Sequence, residues 1–361
     1  MWAMVVKEFR QLLRDKRTLG MLIGLPILLL VVFGYAANFD VSKLQTVVVG
    51  PQAAEAAARL HAPFDVTEID PQGNRATVES RLQDGKAVVG IVTGQNPIPA
   101  LMDGTQLFSV QAAKAAFARM AQVDIADGIK APTIVPEVLY NPDLKTSWIM
   151  IPGLTGLILL IVGTLITCLG VVRERQTGTI EQLAVMPFRP WDVIFGKILP
   201  YLLLASLDLI AIVLLGMALF GVPFVGNVGT FGIGALLFLL VALGMGVLIS
   251  TVSQNQGQAI QLAIMFAIPQ ILLSGLIFPV NAMAGGVRWI AYLLPLTYFV
   301  EISRGVMLKA EPITALWFPL TVLLVMAVVV LGGAVLRFRR DLAPSTRHHS
   351  VEEPELQAAA R

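Results

Sequence analysis

Charge is what this sequence has least of. Only 14% of its 361 residues are Asp, Glu, Lys or Arg, against 56% hydrophobic, and mean hydropathy is +0.76. Soluble domains carry about a quarter charged residues, so a water-soluble globule is excluded and most of the surface must face a bilayer. A formal net charge of +2 supplies no concentrated basic face, which excludes nucleic acid as a partner. The single cysteine, Cys168, excludes an intrachain disulfide framework and a thiolate metal cluster. Set in an apolar run, it reads as a small buried hydrophobe. His61, His348 and His349 read as solvated side chains rather than ligands. Neither Gly85-Lys86-Ala87 nor Gly196-Lys197-Ile198 completes the Gly-x-x-x-x-Gly-Lys-Ser/Thr loop that cradles nucleotide phosphates. Any ATP-driven work must therefore draw on a separate subunit, and the chain is not itself read as an enzyme.

What is abundant is uncharged length. A spanning helix needs about 20 apolar residues, because lipid offers its backbone amides no other hydrogen-bond partner. Such runs occupy residues 18–37 and 148–172. Between Ile198 and Val287 the only charge is Asp208, and polar breaks at 221–227 and 253–257 divide that stretch into spans near 198–220, 228–252 and 258–278. A sixth lies near 316–336. The expected fold class is an α-helical polytopic membrane protein with six transmembrane helices. Lys and Arg concentrate in residues 1–17, in the loop 173–197 and in the tail from Arg337, which puts both termini in the cytoplasm. In residues 1–17, Trp2, Val5, Val6, Phe9, Leu12 and Leu13 recur at helical spacing, while Lys7, Arg10, Arg14 and Arg17 lie elsewhere around the helix. That is the pattern of an amphipathic helix lying in the membrane interface rather than a cleaved signal. Asp208 falls mid-span, where an acid is costly and either serves function or pairs helices. The tail 337–361, with Glu352-Glu353-Pro354-Glu355, reads as disordered.

Residues 38–147 differ in kind, being richer in charge and net acidic. A β-rich run at 46–50 is followed by a helical one at 52–61, an alternating one at 64–69, a helix at 75–83, an apolar β-branched run at 87–92, a helix at 106–128 and an extended segment at 133–140. This rhythm predicts a water-exposed extracytoplasmic α/β domain inserted between helices 1 and 2. Asp84-Gly85 and Asp103-Gly104 are turn signals. With no His/Glu cluster or catalytic triad, the domain reads as an interaction or gating module.

The loop after the second span is the most informative stretch. Gly178 lets the chain break; Thr179 with Gln182 three positions later matches a capping box, so a short helix is expected over 180–186 and stops before Pro187. A second short turn is expected from Pro190, with Lys197 leading into the third span. A short capped helix held at the membrane can take a push from a soluble partner, or it can be an ordinary connection.

The run Arg173-Glu174, Gly178-Thr179, Glu181, Leu183, Pro187, then Gly196-Lys197 and Pro200-Tyr201, resembles the signature loop of ABC-2-type transport permeases, the membrane subunits of bacterial ABC exporters. Asn141-Pro142 with Pro152-Gly153-Leu154 resembles the entry to the second span in the multidrug-efflux-like subfamily with a large extracytoplasmic domain. Leu273-Ser274-Gly275 with Phe278-Pro279, and Pro295 to Phe299 with Arg304-Gly305, resemble its region between the fifth and sixth spans. The resemblance covers essentially the whole chain, in order.

That resemblance implies a type V exporter-like architecture in the bacterial inner membrane. A second permease copy, identical or a sister chain, would pair with this one, and cytoplasmic ABC ATPase subunits would bind beneath. Arg173, Glu174, Gly178, Thr179, Glu181, Leu183 and Pro187 would form the coupling segment, and Phe9, Arg10 and Arg14 would belong to the elbow helix of residues 1–17. Residues 283–309 would form short re-entrant helices within the outer segment 280–315, with Glu301 and Arg304 at i,i+3 spacing expected to form an internal ion pair. These two and Asp208 are the intramembrane or outer-gate polar residues. This chain would bind no cofactor, the partner ATPase using ATP and Mg, and the resemblance leaves engagement of a periplasmic membrane-fusion adaptor open. The implied activity is outward movement of amphipathic drug-like or lipid-like compounds. Two rival readings are an ATP-independent scaffold or sensor with a ligand-binding outer domain, and a secondary carrier using Asp208.

Overall fold

The computed structural model describes residues 43–126, 133–177, 190–280, 283 and 285–342. The expected elbow helix with Phe9, Arg10 and Arg14, the expected first span and the coupling residues Gly178, Thr179, Glu181, Leu183 and Pro187 lie outside the described residues.

The first half folds as a mixed α/β domain. Its elements run β1 (Leu44–Val49), α1 (Ala53–Arg59), β2 (Phe64–Asp70), α2 (Arg75–Gln83), β3 (Val89–Val92), β4 (Ile98–Asp103), α3 (Leu107–Ala126) and β5 (Ile134–Leu139). The sheet order is β2-β1-β3-β4-β5, parallel throughout except for the antiparallel β3–β4 pair. Parallel neighbours need a crossover, which α1, α2 and α3 supply in turn. Both faces are covered, which explains the valine run of β1. Successive side chains point to opposite faces. Leu44 and Val48 join a core with Val110, Ala113 and Phe117 of α3, while Val47 and Val49 meet Val78 and Leu82 of α2 on the other side. Gly90 of β3 lies where α2 comes closest, and a Cβ there would overlap Val78 Cγ1. Asn74 starts α2 with a capping box, its Oδ1 accepting from Thr77 N at 3.2 Å.

Five described helices are long and apolar enough to cross a membrane: α4 (Thr146–Gln176), α5 (Pro190–Phe220, its apolar part from Ile198), α6 (Val228–Val252), α7 (Gln256–Leu273) and α10 (Trp317–Leu342). Two shorter helices, α8 (Gly285–Ala291) and α9 (Pro295–Lys309), lie between α7 and α10. The polar breaks act as predicted. Asn227 caps α6 by accepting from Gly229 N at 2.7 Å, and Asn255 caps α7 by accepting from Gln258 N at 2.9 Å.

Helix α4 packs against α5, α6, α7 and α9. Its small residues permit this, as expected where helices associate without help from water. A Cβ at Gly156 would overlap the Phe299 ring, and on the facing helix α6 one at Gly246 would lie 2.7 Å from Thr164 O. Thr164 Oγ1 donates across the seam to Ala242 O at 3.1 Å. Phe299 of α9 stacks on Phe238 of α6 at 4.5 Å between ring centres. Cys168 is fully buried in a cluster with Ala259 and Ala263, as its apolar setting suggests.

Several boundaries differ from expectation. α4 continues to Gln176, because charge ends an apolar run without ending a helix, and Arg, Glu and Gln are good helix formers. α5 runs unbroken from Pro190 through Lys197 and Pro200, where a separate short turn was expected. α7 stops at Leu273, where Gly275 takes a positive φ of 82°, rather than at 278. α10 extends to Leu342, so the tail expected from Arg337 begins as helix. Strand β4 was not foreseen, since Pro99 breaks its pattern. Pro99 lies beyond the last β3 partner, Ala100, and so outside that pairing.

Candidate functional site

At the end remote from the sheet domain, the last turn of α4 carries Arg173 and Glu174, with Arg173 exposed and Glu174 half-buried. Arg175, counted in the sequence only as a topological charge, has a positional role. Its Nη1 donates to Ser250 O, Thr251 O and Ser253 O at 3.3–3.4 Å, the carbonyls at the C-terminus of α6. A cation there also meets the negative end of the helix dipole. Gln256 Nε2 donates to Gln176 Oε1 at 3.0 Å. The end of α4, from which the 178–189 segment departs, is thus locked to the α6–α7 turn.

At the sheet-domain end, Arg304 of α9 does not pair with Glu301, contrary to expectation. Its Nε donates to Ile149 O at 3.0 Å, Nη1 to Gly275 O at 3.1 Å and Nη2 to Leu276 O at 3.1 Å. The fork fits three converging carbonyls, and holding α4, the α7–α8 connection and α9 together uses the geometry of a guanidinium rather than its charge alone. Glu301, one turn back, is exposed and has no ion pair or hydrogen bond among the described residues.

The ion pairing lies one turn further on. Lys309 Nζ, 7% exposed at the end of α9, sits 3.2 Å from Asp103 Oδ2 and 2.8 Å from Glu311 Oε1, and donates to Leu82 O at 3.2 Å. Asp103 is fully buried at the end of β4, its Oδ1 accepting from Thr105 N at 3.0 Å and Thr105 Oγ1 at 2.6 Å. Gln83 Nε2 of α2 donates to Lys309 O at 3.0 Å and to Ala310 O at 3.2 Å. Asn141 completes the junction: its Oδ1 accepts from Lys145 N at 2.9 Å, pinning the connection from β5 into α4. Sequence reasoning missed Asp103, Lys309, Glu311 and Gln83. The available signal was the rarity of charge: Lys309 and Glu311 interrupt an otherwise apolar region, while Asp103 read as a turn.

Beside this junction is a cavity of about 470 Å³, lined by residues of the sheet domain, α4, the α7–α8 connection and α9. Asp208 lies elsewhere. It is exposed on the face of α5 that also bears Leu204 and Leu207, with no partner among the described residues. Among those residues no cluster of His, Cys, Asp and Glu could hold a metal ion.

Apolar helices of spanning length, with an α/β domain clamped onto one end through a buried ion cluster, have the build of a polytopic membrane protein. Residues 16–336 match the family described as ABC-2 family transporter protein, and the chain belongs to that family. It is 30% identical, over 94% of its own length and 97% of the relative's, to the probable multidrug ABC transporter permease YbhS of Escherichia coli. Similarity to the probable multidrug ABC transporter permease YbhR of the same organism is 28%, over 95% and 99% of the two chains. A shorter match, 27% identical over 56% of this chain and 54% of the other, joins it to the inner membrane transport permease YhhJ.

Proposed function

We propose that this chain is the membrane-spanning permease subunit of an ATP-driven exporter, moving amphipathic drug-like or lipid-like compounds out of the cytoplasm or inner leaflet. The observation that carries this reading is similarity along nearly the whole chain to permeases named as parts of multidrug ABC transporters, in a sequence with no nucleotide-binding loop of its own.

In this reading six spans cross the bacterial inner membrane, with the α/β domain between the first and second on the outer side and both termini in the cytoplasm. Cytoplasmic ABC ATPase subunits use ATP and Mg and seat on the segment that includes Arg173, Glu174, Gly178, Thr179, Glu181, Leu183 and Pro187. The elbow helix with Phe9, Arg10 and Arg14 lies beside it. A second permease copy or a sister chain completes the pathway. The lock between Arg175 and α6 supports the coupling role, since a push on the loop then reaches two helices at once.

Purification of the tagged chain from its native host in mild detergent, followed by mass spectrometry, tests the proposal. A P-loop ATPase recovered in comparable amount, together with export of a candidate compound that stops when that ATPase is inactivated, supports it. An intact chain that yields no ATPase across several gentle detergents would overturn it in favour of a sensor or carrier.

A further inference from the structure

The cavity beside the junction of sheet domain and bundle has the composition of a ligand site. At about 470 Å³ it lies in the range of small-molecule pockets. Its wall is more apolar than polar and includes the rings of Phe108, Tyr292, Tyr298 and Phe318. Of the charges that line it, most are already engaged. Asp84 pairs with Lys86 at 3.1 Å, Glu311 pairs with Lys309 at 2.8 Å, and Arg304 directs its fork at three carbonyls. Glu301 alone has no partner among the described residues.

We propose that this cavity binds lipophilic organic monocations, with Glu301 as the counter-charge and the aromatic rings as the cation-accepting faces. One free carboxylate in an apolar, ring-lined space selects a single diffuse positive charge on a bulky apolar body. It repels an anion of the same shape, and a small hydrated cation gains nothing from the rings. The inference rests on the export reading only for its biological meaning, as a cargo class, because binding is measured without ATP or a partner subunit.

The test is equilibrium binding of radiolabelled tetraphenylphosphonium to the purified full-length chain in detergent, with tetraphenylborate as the anion of the same shape. Tetraphenylphosphonium is expected to bind at least about tenfold more tightly than tetraphenylborate. Glu301→Gln should weaken phosphonium binding by about tenfold or more while leaving the melting temperature unchanged, since the side chain is exposed. Ala315→Trp, which fills the cavity from its half-buried rim, should abolish binding of the cation without touching Glu301. Equal binding of the two ions, or wild-type binding by both variants, would overturn the proposal. Should phosphonium bind as described yet not be exported with ATP in vesicles of the assembled complex, the export reading falls and the site stands; ATP-driven export with unaltered rates in both variants refutes the site alone.

Discussion

Lys309 is where the α/β domain and the helical bundle are joined electrostatically. Its ammonium is out of water and is balanced by two carboxylates, Asp103 from the sheet domain and Glu311 from the segment after α9. Removing one partner of a buried cluster costs more than the cluster contributes, because the remaining charges stay buried without compensation. Lys309→Met is therefore expected to destabilise the protein by about 3–5 kcal/mol, read as a lower melting temperature in detergent or nanodiscs. The triple variant Lys309→Met, Asp103→Asn, Glu311→Gln should recover most of that loss. A single variant as stable as wild type would show that the junction does not depend on the cluster. Two further carboxylate pairs with a pH dependence lie on the sheet domain's surface. Arg75 donates to both oxygens of Glu137 and Arg81 to both of Glu68, and each guanidinium holds its carboxylate below the ordinary glutamate value of 4.5. A folded-state pKa lower than the unfolded one gives stability that is present above the ordinary value and lost as pH falls through the depressed one. Both pairs are half-exposed and screened, so Glu137→Gln should cost less than about 1 kcal/mol near neutrality. Its deficit should shrink as the pH falls below the ordinary glutamate value and Glu137 takes up a proton, which thermal melts at neutral and at progressively more acid pH would check.

The elements were legible where side-chain pattern and structure share one cause. β1, β2, α2 and β5 stand close to where alternation, helical spacing and turn residues predict them, because burial writes its period directly into the chain. Boundaries at the membrane were less legible, since the apolar run marks contact with lipid and the helix obeys its own hydrogen-bond ladder. α4 shows the difference: Arg173 to Gln176 leave the apolar run and prolong the helix, so that Arg175 reaches the end of α6. If the coupling reading holds, this lock makes α4 and α6 respond together to the loop. Arg175→Ala is then expected to reduce substrate-stimulated ATP hydrolysis of the assembled complex several-fold, with assembly and basal hydrolysis preserved. Arg175→Lys, which keeps the charge on a shorter side chain, should restore it only in part. Unchanged stimulation in Arg175→Ala would sink the claim that force passes through this contact.

For the whole molecule, the broad plan could be read from where charges are missing, whereas the joining of its two halves could not. Gln83 and Lys309 meet across most of the chain length, and Glu301 and Arg304, adjacent on one helix face, do not pair, because Arg304 turns to carbonyls of α4 and of the α7–α8 connection. Spacing within one helix shows which side chains can meet and is silent on the carbonyls a distant segment brings closer. Orientation is the remaining whole-molecule property, and Lys and Arg distribution predicts it: sheet domain outside, end of α4 inside. Cys168 is fully buried, so Cys168→Ser removes the native thiol with little change in volume at one packed position. In that background, Glu55→Cys on the exposed side of α1 and Gln176→Cys at the exposed end of α4 place single thiols at opposite ends of the molecule. A membrane-impermeant maleimide applied to intact spheroplasts should label the thiol at 55 at once and the thiol at 176 only after permeabilisation. The reverse pattern would place the 178–189 segment on the side without ATP. An ATPase could not then reach it, and the exporter reading would fail on orientation alone, whatever the similarity of its sequence to known permeases.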